Sequence, residues 1–480
     1  MNHPKLIQGG MGAGVSNWFL AKAVSKMGQL GVVSGTALDS VLARRLQLGD
    51  PEGHLRRALD HFPIREIAQR VYDTYFIPNG KADHESFKRI PMYSLTPSRQ
   101  LQELTVLANF VEVFLSKEGH DGIVGINYLE KIQMPNLASI YGAMLAGVDY
   151  VLMGAGIPRE IPGILDQYVN HEEVELRVSV NDADKDDQYK MLFNPAQIIG
   201  KIPYALKRPQ FLAIISSNTL AISLKRKSTG QVNGFVIEGP TAGGHNAPPR
   251  GALQLNALGE PIWGEKDIVD LEKIKELELP FWLAGSFGDP KRIEQAFEQG
   301  ADGVQIGTPF AFCEESGLDD EIKSKVLKKI LTNEARVLSD AKASPTGFPF
   351  KVLQLEDSIS NPSVYEKRTR ICDLGYLRTA FKNENGRVEY RCPSEPVKNF
   401  LRKSGKLEET EGRKCLCNSL LANIGLAQLQ RSGYLEKPLV TSGQELNFLT
   451  RFLQNGKLSY TAADVIQALI PQFELAEACV

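Results

Sequence analysis

The sequence has no apolar run approaching the ~18 residues that a membrane-spanning helix needs. The best candidate, Phe211 to Leu224, is shorter and is interrupted by Ser216, Ser217, Asn218 and Thr219, so no bilayer span is expected. Neither sign of charge is in excess. The 55 Lys and Arg stand against 57 Asp and Glu, a formal net charge of -2, which gives no general pull towards nucleic acid or an anionic lipid surface. Cysteine is scarce, at six in 480 residues; that is too few for a disulfide scaffold and fits a reducing compartment. A strand-like segment, Lys5 to Gln8, starts almost at once and leaves no room for a secretory leader, so the expectation is a cytoplasmic protein. Internal repeats and low-complexity segments are missing. So is a Gly-x-Gly-x-x-Gly after a strand, which disfavours a dedicated Rossmann site.

What is present is an ordinary globular composition, 42% hydrophobic and 23% charged, in a chain longer than one hydrophobic core usually serves. A large domain with something inserted or appended is expected. Through the first two-thirds, short apolar runs ending in glycine alternate with helical patterns such as Asn17 to Met27. The runs are Leu6 to Gln8, Leu30 to Ser34, Gly122 to Asn127, Tyr150 to Gly154, Phe211 to Ser217, Gly234 to Gly239, Pro280 to Gly285 and Gly303 to Gly307. Continuous apolar strands of this kind are buried on both faces, as in a parallel sheet covered by helices. Eight of them predict an α/β fold closed as a parallel (β/α)8 barrel of TIM type; a doubly wound open sheet is the alternative. Residues 50–119 are long and charged, with helical stretches at His54 to Leu59 and Leu101 to Leu115, and read as a helical insertion. Val174 to Val180 reads as a peripheral strand. The barrel is assigned to residues 1–315. Residues 316–480 are assigned to a cap over the barrel mouth plus closing helices, among them Glu321 to Leu331, Leu416 to Gln430 and Ala462 to Leu469.

In such barrels the chemistry gathers at the C-terminal ends of the strands. Gly9-Gly10-Met11-Gly12 follows the first run, and Gly239-Pro240-Thr241-Ala242-Gly243-Gly244-His245 the sixth. Gly285-Ser286-Phe287-Gly288-Asp289-Pro290 follows the seventh, and Gly307-Thr308-Pro309 the eighth. The last two loops predict a phosphate site. Glycine lets main-chain N–H groups approach an anion closely, and the helical pattern Lys291 to Gln299 would point its N-terminal dipole at the same place. At Gly243-Gly244-His245 two glycines let a planar ligand approach the backbone while the imidazole reaches over it. With an ordinary pKa of ~6.5, that imidazole would exchange a proton near neutral pH. The other histidines lie in polar or helical contexts and are given no role.

Four segments, in order, carry a resemblance. They are Pro4 to Gly12, Ala242 to His245, Leu283 to Gly288 and Gly303 to Phe310, and they resemble the nitronate monooxygenase family, formerly 2-nitropropane dioxygenases, which includes FMN-dependent enoyl reductases. Glu314 to Ser316 and Pro345 to Pro349 also resemble family features. The resemblance runs from residue 4 to about 350 and implies an FMN-binding barrel. By it, Gly10, Met11 and Gly12 lie against the flavin, Met11 and Gly12 through their backbone, and Asn127, Gly243 and Gly244 line the ring pocket. Gly285, Ser286, Phe287, Gly288, Gly307 and Thr308 hold the phosphate, with Gln305 nearby. His245 becomes the base that removes the proton α to a nitro group, and electrons pass from flavin to O2. Thr241 stands where many members carry Glu, and residues 50–119 and the tail are longer than a minimal member needs. These departures leave open an enoyl reductase using NAD(P)H in polyketide or lipid synthesis, and also a non-catalytic flavin- or phosphate-binding scaffold. A small-molecule substrate is expected in the enzymatic cases, and a homo-oligomer remains open.

Cys372, Cys392, Cys415 and Cys417 fall in one polar stretch of the tail. Four thiolates could hold a structural zinc, but the paired Cys-x-x-Cys knuckles of such sites are absent, and free, partly buried thiols are the expectation. No metal ligand is assigned.

Overall fold

The computed structural model describes residues 3–453 and 457–470. Each apolar run forms a strand: β1 (Leu6–Gln8), β2 (Gly31–Ser34), β3 (Val124–Leu129), β4 (Tyr150–Gly154), β5 (Gln210–Ile215), β6 (Gly234–Glu238), β7 (Phe281–Ala284) and β8 (Gly303–Ile306). All are parallel, and from β2 to β8 each pairs with its sequence neighbour. β1 pairs with β8, Leu6 opposite Val304. A parallel bridge between Ile7 and Leu30, with the Gln8 N–H donating to the Leu30 carbonyl at 2.9 Å, joins β1 to β2. The sheet is therefore a barrel, not the open alternative.

The strands are apolar on both faces because both faces are covered. Ile7, Val32, Leu152, Leu212, Val236 and Trp282 pack with one another inside the barrel. Their neighbours Leu6, Val33, Val151, Phe211, Phe235 and Leu283 join the outer core beneath the helices. The Trp282 indole N–H donates to the Pro4 carbonyl at 2.7 Å, which satisfies the one polar atom that this large side chain brings into the core.

Helices follow the strands in turn: Trp18–Lys26, Arg99–Lys117, Gln133–Leu145, Ile161–Tyr168, Asn218–Lys227, Leu271–Lys275 and Pro290–Glu298 after β1 to β7. Within residues 50–119, His54–Asp60 and Arg65–Tyr75 are amphipathic helices laid on the ring, whereas Arg99–Lys117 is the crossover between β2 and β3. That last helix packs against Trp18–Lys26 and Gln133–Leu145. It is buried on almost every side, as expected of a helix covered by others rather than facing water.

The eighth ring helix is displaced in the sequence. Only the single turn Thr308–Ala311 follows β8 directly, and the chain then detours through the tail before Ala462–Leu469 packs against Trp18–Lys26 and Pro290–Glu298. Thr461 and Asp464 form the capping box that starts this helix. The detour contains the hairpins Val337–Asp340/Phe350–Leu353 and Thr379–Lys382/Val388–Arg391. The predicted peripheral strand Val174 to Val180 is divided: Val174–Arg177 pairs antiparallel with Lys190–Phe193, and Val180–Asn181 extends the second hairpin in parallel. The helix predicted from Leu416 to Gln430 stops at Ala422. There Gly425 takes a left-handed φ of 72°, and Leu426 N–H turns back to the Leu421 carbonyl at 3.0 Å, a glycine-terminated helix end. Among the described residues no helix is long and apolar enough to cross a membrane.

Candidate active site

The C-terminal ends of the strands open into one cavity of about 490 Å³, within the range of small-molecule sites. Every strand-end residue given a cofactor or catalytic role from the sequence lines it. Gly10, Met11 and Gly12 enter after β1, Asn127 from β3, and Gly243, Gly244 and His245 after β6. Gly285, Ser286, Phe287 and Gly288 follow β7, and Gln305, Gly307 and Thr308 close the set at β8. The tail contributes Phe348, Phe350, Leu416 and the strap Val440 to Gly443.

The end of the cavity under β7 and β8 has the chemistry of an anion cradle. Gly285 (φ 105°) and Ser286 (φ 63°) both have positive φ, which turns the chain sharply out of β7. The amides of Ser286, Phe287 and Gly288 donate to no acceptor among the described residues, and the buried Ser286 hydroxyl is also without a partner. Helix Pro290–Glu298 begins there, capped by Asp289, whose carboxylate accepts from Lys291 N–H at 2.9 Å. Its positive dipole end thus faces the same loops. Arg292 donates to the Ser286 carbonyl at 2.9 Å and pairs with Glu445 of the tail at 2.8 Å. The Thr308 hydroxyl accepts from Gly443 N–H at 2.9 Å. A Cβ on Gly288 would lie 2.3 Å from the Phe448 ring, so glycine is needed here because the tail presses on the loop.

Nearer the barrel axis, Asn127 Oδ1 and Gln305 Oε1 are buried without partners. A buried carbonyl left unpaired costs about 1–3 kcal/mol, so two of them lining one cavity fit a ligand that presents N–H groups. A Cβ on Gly10 would fall 2.4 Å from Asn127 Cβ, so the first loop can reach the Asn127 side chain only as glycine. The Met11 backbone is taken by Ser16: its N–H donates to Ser16 Oγ at 2.9 Å, and its carbonyl accepts from Ser16 N–H at 3.2 Å. Met11 therefore offers van der Waals contact rather than main-chain hydrogen bonds.

His245 Nε2 lies 2.7 Å from Ser344 Oγ, and the ring meets Phe350 edge-on at 4.7 Å. Nδ1 has no protein partner among the described residues, so one nitrogen is anchored and the other is open to the cavity. Burial holds the imidazole well below its ordinary pKa, and the Lys131 ammonium acts in the same direction. The ring is neutral at pH 7, with a lone pair to offer.

Two ionisable residues were missed from the sequence. Glu238, the last residue of β6, is pushed up to about 7 by burial, opposed by Lys131. Lys131, just past β3, is brought down to about 8 by burial, opposed by Glu238 and Glu130. Both follow the strand-end rule that found the glycine loops, but neither sits in a glycine motif. The tail strap had no signal at all, since its hydrogen bonds to Gly244 and Thr308 span more than 130 residues.

Cys372, Cys392, Cys415 and Cys417 line one small void in the tail, and all four are free. Burial pushes the Cys415 thiol up to about 11. The neighbouring Cys392 thiol and burial raise Cys372. Among the described residues no three metal-ligating side chains are gathered to hold an ion.

Residues 204–342, from the approach to β5 through the first tail strand, match the nitronate monooxygenase family model. The chain is 30% identical over 226 residues to a putative nitronate monooxygenase of Saccharomyces cerevisiae, covering 45% of this chain and 47% of that protein. It is 36% identical over 100 residues to a probable nitronate monooxygenase of Bacillus subtilis, covering 21% of this chain and 26% of that one. The chain thus spans half or less of the curated relatives it matches. Among solved structures, FabK from Thermotoga maritima aligns over 100% of this chain and 94% of its own, at 16% identity and a TM-score of 0.46. Over these stretches, and not over its whole length, the chain is similar to nitronate monooxygenases.

Proposed function

We propose that the cavity binds FMN and that the protein is an oxidoreductase that takes electrons from a nitronate or nitroalkane-type carbanion and delivers them to O2, with His245 as the base. One observation carries the reading. A single cavity joins a cradle of free amides and an unpartnered serine hydroxyl at one end to a neutral, half-anchored imidazole near the other.

The residues fit the cofactor. Ser286, Phe287, Gly288 and Gly307 would hold its phosphate through main-chain N–H groups, with the helix dipole behind them. Gln305 and Asn127 would accept from the ring's N–H edge. Gly10, Gly12, Gly243 and Gly244 leave space against its plane, and Met11 packs beside it. When bound, the flavin supplies reversible two-electron chemistry and reactivity with O2. The chain's part is positional. Ser344 fixes the His245 ring through Nε2 and leaves Nδ1 to accept the proton from an acidic carbon. The tail strap and Phe348 shield that transfer from water.

A flavin reductase taking hydride from NAD(P)H to an enoyl thioester is the second reading. It is favoured by Ile157, which lines the cavity and is 52% exposed, an apolar rim suited to an acyl chain. Anaerobic mixing of the holoprotein with each donor separates the two. Bleaching by ethyl nitronate and not by NADH or NADPH is expected; bleaching by a nicotinamide alone would replace the oxidase reading with the reductase. A protein that binds flavin but is bleached by neither would leave the scaffold reading.

A further inference from the structure

The Lys131 ammonium is shut off from solvent and has no hydrogen-bonding partner. Lys131 lines the cavity, and its Nζ lies over the Phe348 ring, 4.4 Å from the centroid. Carboxylates lie within electrostatic range, Glu130 on the same loop and Glu238 at the end of β6, but neither forms an ion pair with it. A buried, unpaired charge is among the costliest features a fold can carry. It is retained most simply where a ligand supplies the missing partner. A cation–π contact holds the ammonium in place without neutralising it.

We propose that Lys131 is the counter-charge for an oxyanionic substrate head, the charged oxygen of a nitronate or of the enolate of a carbonyl compound, which it binds directly. The inference rests on the reading of the cavity as a carbon-acid site and supplies what His245 does not. A neutral imidazole can take a proton, but it cannot hold the negative charge that the proton leaves behind. Lys131 lies within electrostatic range of His245, so proton acceptor and anion holder share one end of the cavity. Of the two carboxylates, Glu130 is raised by burial, and Glu238 is protonated in part at neutral pH because burial raises it to about 7. They therefore offset Lys131 only incompletely.

The test uses propanoate, a planar delocalised oxyanion that does not react, with neutral propanamide as its control, each titrated into the full chain by ligand-observed NMR. Lys131 loses its proton near pH 8, so propanoate affinity should fall about tenfold or more between about pH 7 and about pH 9.5, the size of one charge-assisted hydrogen bond. Lys131→Met should weaken propanoate at pH 7 by about the same factor and remove the fall centred near pH 8, leaving only the shallower fall from ionisation of Glu238 near 7. Lys131→Arg should keep binding at high pH, and propanamide should not distinguish the variants. Thermal unfolding gives an independent reading: removing an uncompensated buried charge should raise the melting temperature of Lys131→Met. Equal propanoate binding in wild type and Lys131→Met, or no preference for propanoate over propanamide, would overturn the assignment. So would a lower melting temperature in Lys131→Met, which would mark the lysine as structural. The readout needs neither flavin nor turnover. A chain that binds propanoate through Lys131 yet oxidises no nitronate would overturn the flavin reading alone.

Discussion

His245 and Glu238 stand in the same cavity and titrate in opposite directions, because burial favours the neutral form of each. For His245 the consequence, under the proposed function, is catalytic. Replacing it with Asn keeps the shape and a hydrogen bond to Ser344 but removes the proton acceptor, so kcat/KM with a nitroalkane should fall about 10²–10⁴-fold while flavin content is unchanged. Steady-state kinetics on flavin-normalised protein checks this, and undiminished turnover would take His245 out of the mechanism. For Glu238 the consequence is a stability that depends on pH. Its folded pKa, about 7, lies above the ordinary 4.5, so its contribution is complete below 4.5 and is lost as pH rises through about 7. Glu238→Gln should therefore gain stability over wild type progressively across that window, with the two converging in acid. Urea titrations at several pH values decide it, and parallel curves would show that Glu238 is not strained by its site. Lys131 and Glu238 were legible in principle as strand-end residues. What concealed them is that a single charged residue at such a position is as often solvated as functional, and only the cavity walls distinguish the cases.

At the scale of the element, the turn out of β7 carries the argument. Gly285 at φ 105° lies outside the backbone space of residues with a Cβ. Gly285→Ala should cost on the order of 1–3 kcal/mol of stability and weaken flavin binding as well. Ser286→Ala separates the two effects. Its hydroxyl has no protein partner, so the substitution should leave the melting temperature nearly unchanged while weakening FMN roughly tenfold. Fluorescence titration of stripped protein measures it, and a fall in stability without a change in FMN affinity would count against the cradle. This turn was legible because its requirement is local: a glycine at a strand end and a proline opening a helix constrain the chain within six residues. The eight strands were legible for a related reason, since a buried parallel strand is apolar at every position. Helix Arg99–Lys117 was recognised as a helix, but its place in the ring depends on partners near residues 18 and 133, which no local pattern shows.

At the scale of the molecule, the barrel is completed only when the tail returns. Helix Ala462–Leu469 fills the gap between the first and seventh ring helices, with Val465 and Ile466 fully buried. Ile466→Ala should cost about 2–5 kcal/mol, seen as a lower urea midpoint with an unchanged slope; a negligible shift would mean that the barrel does not depend on this helix. The detour between β8 and that helix also roofs the cavity through Phe348, Val440 and Gly443. A cap was expected from the sequence, but which tail residues reach the site was not, because those contacts join segments that composition and periodicity treat as independent. The central claim is that main-chain amides after β7 and β8 grip the phosphate of a flavin. Comparing FMN with riboflavin on the stripped 480-residue chain tests it most directly, since the two ligands differ only in that phosphate. FMN should bind at least about a hundredfold more tightly, as expected for several charge-assisted hydrogen bonds lost together. Equal affinity for the two, or no binding of either, would contradict the account.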